Sequence, residues 1–190
     1  MKVLLNKIYM LSFFAVISVI TSAYATESRA NTLLYISPYD YNYSVRLLHP
    51  YYDYWFAQGP IVEPIALKML KNQDSMLALC TSNETADTII RIKPSLFYNP
   101  QMRVYHSRVV ATVYSGAGNM LGTYTGEAQQ QGFTSVDNGI QLHLNKAYTS
   151  AIQDLMTKLK SVQLSESSKA EAKLPCGIIG AQVEPKMSFY

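Results

Sequence analysis

The sequence predicts an α+β fold, an antiparallel sheet of about four or five strands with two helices on one face and a C-terminal tail tied back by a disulfide. Three observations carry this. Long alternating segments joined by short Gly, Asn and Pro turns fill residues 86–131, apolar side chains recur at steps of three and four from Ile140 to Leu159, and Cys80 and Cys176 are the only cysteines.

Taken in order, TLLYIS at residues 32–37 is aromatic and apolar enough for a strand, which Pro38 and Asp40 end. The tyrosine-rich stretch behind it shows no sustained period. From Ile61, IVEPIALKMLKNQ places Val62, Ile65, Ala66, Met69 and Leu70 on one helical face, with Pro64 tolerable only in a first turn. SMLALC is a short apolar run suited to a buried strand. ADTIIRIKPSLFYNP sets Ile90 and Ile92 against Arg91 and Lys93, and Asn99 and Pro100 turn the chain into QMRVYHSRVVATVYS, where Val109, Ala111 and Val113 share a face. Gly116, Gly118 and Asn119 make the next turn, and NMLGTYTGEAQQQG completes a meander. Behind the helix-starting residues Ser135, Asp137 and Asn138, Ile140, Leu144, Ala147, Tyr148, Ala151, Ile152, Leu155 and Leu159 line one side of a long helix.

The stretch from Ala86 to Leu159, notably NPQMRVYHSRVVATVYSGAGNMLGTYTGEA and LNKAYTSAIQDLMTKL, resembles the sheet and final helix of bacterial envelope accessory proteins. These are the auxiliary lipoproteins of ABC-type transport, whose fold is similar to the N-terminal domain of TolB. The resemblance implies a non-enzymatic protein that binds other envelope components.

The chain opens MKVLLNKIYMLSFFAVISVITSAYA, with Lys2 and Lys7 ahead of an apolar run from Ile8 to Ile20 and the small-residue pattern Ala23, Tyr24, Ala25. Residues 1–25 read as a secretory signal peptide cleaved after Ala25, because the apolar run is shorter than the roughly 20 residues of a membrane-spanning helix. No cysteine lies beside the cleavage point, so lipid attachment there is excluded and a periplasmic or secreted protein is expected. Residues 26–163 then form the α+β domain, and residues 164–190 a linker and a tail tied back through Cys176. In an oxidising compartment the lone cysteine pair reads as one disulfide. Closing a loop of that length stabilises by about 4–5 kcal/mol in the chain-entropy model.

Losing the signal peptide removes two lysines and no acid, which leaves the two signs of charge nearly balanced. A nucleic-acid partner, which needs a concentrated basic face, is not expected. His49, His106 and His143 stand on different elements without metal-ligand spacing, so no metal site, catalytic residue or cofactor is assigned. SGAGNMLG lacks the lysine and Ser/Thr of a phosphate loop and reads as a hairpin turn.

What remains is YDYNYSVRLLHPYYDYWF, with Tyr39, Tyr41, Tyr43, Tyr51, Tyr52, Tyr54 and Trp55 in a nearly uncharged setting. Three readings stand side by side. The rings could be core and loop cover; they could form a surface for an envelope protein or assembly, since Tyr, Trp and Arg dominate interface hot spots; or they could stack on a glycan such as peptidoglycan while Asp40, Asn42, Asp53 and Gln58 bond its hydroxyls. A secreted hydrolase using Asp40 and Asp53 is the enzymatic alternative within residues 39–58.

Overall fold

β1 (Thr32–Ile36) is buried on both sides, and the rest of the chain is arranged to cover it. The computed structural model describes residues 31–48, 53–81, 83–132, 137–160 and 173–180. The expected signal peptide and its cleavage point, Tyr51, Tyr52, His49, Ser135, the linker and residues 181–190 lie outside the described residues, as do the side chains of Asp53, Asp137 and Asn138. After β1 come α1 (Pro38–Asn42), β2 (Ser44–Leu48), β3 (Asp53–Ala57), α2 (Gly59–Lys71), β4 (Leu77–Leu79), β5 (Thr88–Asn99), β6 (Val104–Ser115), β7 (Met120–Gln131), α3 (Asp137–Lys160) and α4 (Cys176–Gly180).

Five strands form one sheet in the order β4-β1-β5-β6-β7, and β2 pairs with β3 in a separate hairpin. The α+β class, the five strands and the Cys80–Cys176 disulfide agree with the sequence reading. The pairing corrects it in one respect. β5, β6 and β7 are antiparallel, but β1 runs parallel to both β4 and β5, so the sheet is mixed. The reason is the connection. Between β1 and β4 the chain leaves the sheet through α1, the hairpin and α2, and such a crossover returns the next strand in the same direction.

Alternation along the strands separates two cores. Leu34, Ile90, Ile92, Leu96, Val109, Ala111 and Val113 face the helices, where Val62, Ala66 and Leu70 of α2 and the eight residues expected from α3 join them in one buried cluster. The α3 stripe from Ile140 to Leu159 is buried throughout. Gly126 of β7 lies so close to α3 that a Cβ there would meet the Ala151 carbonyl and Leu155.

The opposite face carries a smaller cluster of Leu33, Ala86, Ile89, Tyr114, Cys176 and Ile179. Because β4 and β5 flank β1 in parallel, the chain must pass back across β1 between them, and Ala86 packs there beside the tail. Cys80 and Cys176 sit 6.1 Å apart at Cα, Cys176 N–H donates to the Glu84 carbonyl at 2.8 Å, and Lys173 pairs with Asp87. The tail thus covers the β1 end of this face.

Pro64 is placed differently from expectation. It lies in the second turn of α2, which starts at Gly59. The ring removes the bond to the Pro60 carbonyl, and since Pro60 and Pro64 are both exposed, water can satisfy that group. Among the described residues no helix is long and apolar enough to cross a membrane.

Three polar contacts fix the layers. Tyr148 of α3, fully buried, donates its hydroxyl to Gln58 Oε1 at 2.7 Å, and burial pushes that hydroxyl well above its usual pKa, so it stays a donor. At the outer edge of β7, Asp154 Oδ2 accepts the Glu127 N–H at 2.9 Å while Lys158 Nζ donates to the Thr125 carbonyl at 2.7 Å. These side chains occupy backbone groups that an edge strand would otherwise offer to another chain.

Tyr148→Phe strands the buried Gln58 carbonyl and is expected to cost about 1–3 kcal/mol. Thermal denaturation should show a fall of roughly 2–10 °C. A second outcome follows from Asp154, whose carboxyl is held below its ordinary value by the Lys158 hydrogen bond and the Glu127 N–H. A carboxyl depressed in the folded state contributes stability above its unfolded pKa of about 3.9 and loses it as pH falls towards the folded value. Glu127 amide exchange, corrected for its intrinsic rate, should therefore accelerate below about pH 4, and Asp154→Asn should abolish that acceleration.

Candidate functional site

The tyrosine-rich stretch that showed no period folds into two short elements. Ser37, Pro38, Tyr39 and Asp40 occupy the N-cap and first three positions of α1. Ser37 Oγ accepts the Asp40 N–H at 3.1 Å and donates to Asp40 Oδ2 at 2.6 Å, a reciprocal cap, while Pro38 supplies the φ a first turn needs. Pro38 and Asp40 do end β1, and they also start a helix. The buried Asp40 carboxylate then faces Arg91 of β5 at 3.8 Å, tying α1 to the sheet.

SVRLL and DYWFA form the hairpin, with Arg46 opposite Trp55 and Leu47 opposite Tyr54. Its inner face is core. Leu47 and Phe56 are buried, Val45 and Tyr54 pack against the same cluster, and the Tyr54 hydroxyl accepts Gln141 Nε2 of α3 at 2.9 Å. Tyr41 is half-buried against Gly59, where an added Cβ would lie 2.6 Å from Tyr41 Cα.

The outer face is aromatic. Tyr39 is 74% exposed, Tyr43 50% and Trp55 58%, values that leave these rings no structural partner large enough to bury them. The Tyr39 and Tyr43 rings lie 5.9 Å apart, and the Arg46 guanidinium stands 5.8 Å from the Trp55 ring centre. Tyr43 leads into β2, whose first residue, Ser44, pairs with Ala57, and the Arg46–Trp55 pair follows two residues on along the same outward face. The exposed ridge has two parts, Tyr39 with Tyr43 at α1 and Arg46 with Trp55 on the outward face of the hairpin. Of the seven aromatic candidates, three form the ridge, Tyr41 and Tyr54 turn inward, and Tyr51 and Tyr52 lie outside the described residues. Arg46 was missed, although its position opposite Trp55 follows once the alternation of β2 and β3 is seen.

The groups set aside for sugar hydroxyls are mostly engaged elsewhere. Gln58 is 1% exposed and bonded to Tyr148, and Asp40 is committed to Ser37 and Arg91. That corrects the glycan reading of residues 39–58 at both positions, because a buried, internally bonded group cannot reach a ligand. It also removes Asp40 as half of a hydrolytic carboxylate pair. Asn42 is exposed, with its amide donating to the Pro38 carbonyl at 2.8 Å. His106 and His143 stand apart, beside Phe97 and Tyr105. Among the described residues no cluster of His, Cys, Asp or Glu is placed to hold a metal ion.

No family model matches the chain, and no curated protein matches it significantly. Among solved structures it is similar to a Xanthomonas campestris protein of the DUF330 family, at 8% identity and a TM-score of 0.48, over 72% of this chain and 91% of that one. It is also similar to a candidate lipoprotein from Caulobacter crescentus CB15, at 12% identity and a TM-score of 0.35, over 55% of this chain and 81% of that one. Likenesses at this level carry nothing about ligand or activity.

Gly59→Ala forces α1 away from α2 and is expected to cost about 1–3 kcal/mol. Trp55→Ala, which empties no core, should leave stability within about 0.5 kcal/mol of the parent. Paired melts of the two variants check this division of the segment into support and surface.

Proposed function

We propose that this is an exported protein of the bacterial envelope that acts by binding another envelope protein through the outer face of the β2–β3 hairpin. The observation that carries the reading is the exposed set of Tyr39 and Tyr43 at α1 and of Arg46 and Trp55 on a hairpin whose other face is anchored in the core. Tyr, Trp and Arg are the residues over-represented at interface hot spots, and they supply large contact area at little conformational cost when held on a rigid element. A two-stranded hairpin is marginal alone. Here its inward side chains and the Tyr54–Gln141 bond hold it, so the rings are presented in a fixed array.

Export rests on the N-terminal pattern of residues 1–25 and fits the disulfide, which persists in oxidising compartments. The resemblance of residues 86–159 to TolB-like accessory proteins of ABC-type transport implies the same mode of action, contact without catalysis. Hydrolysis is the weaker reading because its Asp40 carboxylate is already occupied.

Photo-crosslinking in intact cells tests the proposal, with probes at Tyr39 and Trp55 and a control at exposed Gln153 of α3. The expected result is one envelope protein captured from both ridge positions and not from the control. Capture of the same set of proteins from all three positions, or of none from the ridge, would overturn it.

A further inference from the structure

On the sheet face away from α2 and α3, the described part of the tail covers the β1 end, and among the described residues nothing covers the far half of β5, β6 and β7. Register places outward side chains there in rows across the strands. Ser95, Arg108 and Glu127 make one row, and Phe97, His106 and Gln129 the next. Between them lies the row Leu96, Ser107 and Ala128, whose side chains point through to the helices, as the Ser107 hydroxyl bonded to the Ala147 carbonyl at 2.8 Å records. The outcome is a transverse groove of about 540 Å³ with a backbone floor and two side-chain walls. Rows two residues apart stand about 6.6 Å from one another, and three strands span about 10 Å.

The two walls differ in chemistry. One presents Phe97, 60% exposed, with its ring 5.9 Å from that of His106. The other presents Arg108 and Glu127 in contact at 3.3 Å, so that cation and anion cancel. We propose that this groove binds a neutral oligosaccharide. A pyranose ring has an apolar C–H face that stacks on an aromatic wall and an edge of adjacent hydroxyls, and the guanidinium, carboxylate and amide of Arg108, Glu127 and Gln129 are planar groups that bond such hydroxyls in pairs. The balanced ion pair favours an uncharged ligand over an anion. The floor argues against an extended peptide, because the backbone of β6 is consumed in ladders to β5 and β7 and offers a peptide main chain no partners. The site is independent of the hairpin ridge and stands or falls without it.

The test is an NMR titration of the mature protein with two neutral probes, chitotetraose and maltotetraose, at millimolar concentrations. Amides around Ser95–Phe97, His106–Arg108 and Glu127–Gln129 should shift with at least one probe. Phe97→Ala should weaken binding roughly tenfold with an unchanged melt, since the ring is exposed, and Arg108→Ala should weaken it as well. The proposal is overturned if neither probe moves these amides, or if Phe97→Ala leaves the titration as it was. It is also overturned if the same amides shift with protein concentration alone, which would place a second copy in the groove, or on truncation after Gly180, which would place the chain's own last residues there.

Discussion

Burial of β1 on both faces is the constraint from which the architecture follows. A strand whose Leu33 and Leu34 are each about 1% exposed requires a cover above and a cover below. The upper cover, α2 and α3, is long enough to bury itself while doing so. The lower cover is not. Five residues of α4 contribute little more than Ile179 and Cys176 to the second cluster, and an element that short has no stability of its own. The disulfide supplies what the packing lacks, by making the tail a local neighbour of the loop after β4.

Among the described residues, that economy leaves the second face half covered. Gly180, the last described residue of the tail, meets the Tyr35 ring, and beyond Arg91 the outward residues of β5 become exposed. Pro94, which has no N–H for a ladder, lies past Ile36, the last β1 residue paired to β5. Among the described residues the strand therefore continues with β6 as its one ladder partner. An open, rigid, three-stranded face is the geometric product, just as a two-faced hairpin is the product of threading the β1–β4 crossover through an aromatic segment.

Much of this was legible wherever one side chain type meant one environment. The α3 stripe contains no residue whose polarity is ambiguous except Tyr148, and all eight positions are buried. The alternation of Ile90 and Ile92 against Arg91 and Lys93 gave the faces of β5 correctly. Residues 37–57 resisted because tyrosine serves on either side of a boundary, so the period of two in SVRLL and DYWFA was blurred by the rings around it. The N-cap pattern of Ser37 and Asp40 is present, but Ser37 also fits the end of a strand and Asp40, with Pro38, a strand break. Parallel pairing was hidden for another reason, since it depends on a crossover and not on any local pattern. The groove on the sheet face was invisible because it exists only in register, through residues as far apart as Phe97 and Gln129.

Alternation also explains how one aromatic segment can serve the fold and still present a surface. In β2 and β3 successive residues point to opposite faces, so Tyr54 and Phe56 enter the core while Trp55 between them cannot. Turning Trp55 inward would need a one-residue slip of β3, which would expose Tyr54 and Phe56 together. The inward residues therefore hold the outward ones in place, at a stability cost to the outward rings of almost nothing. A ring that the fold neither buries nor needs is free to be selected for contact, and Tyr39, Tyr43 and Trp55 are three such rings.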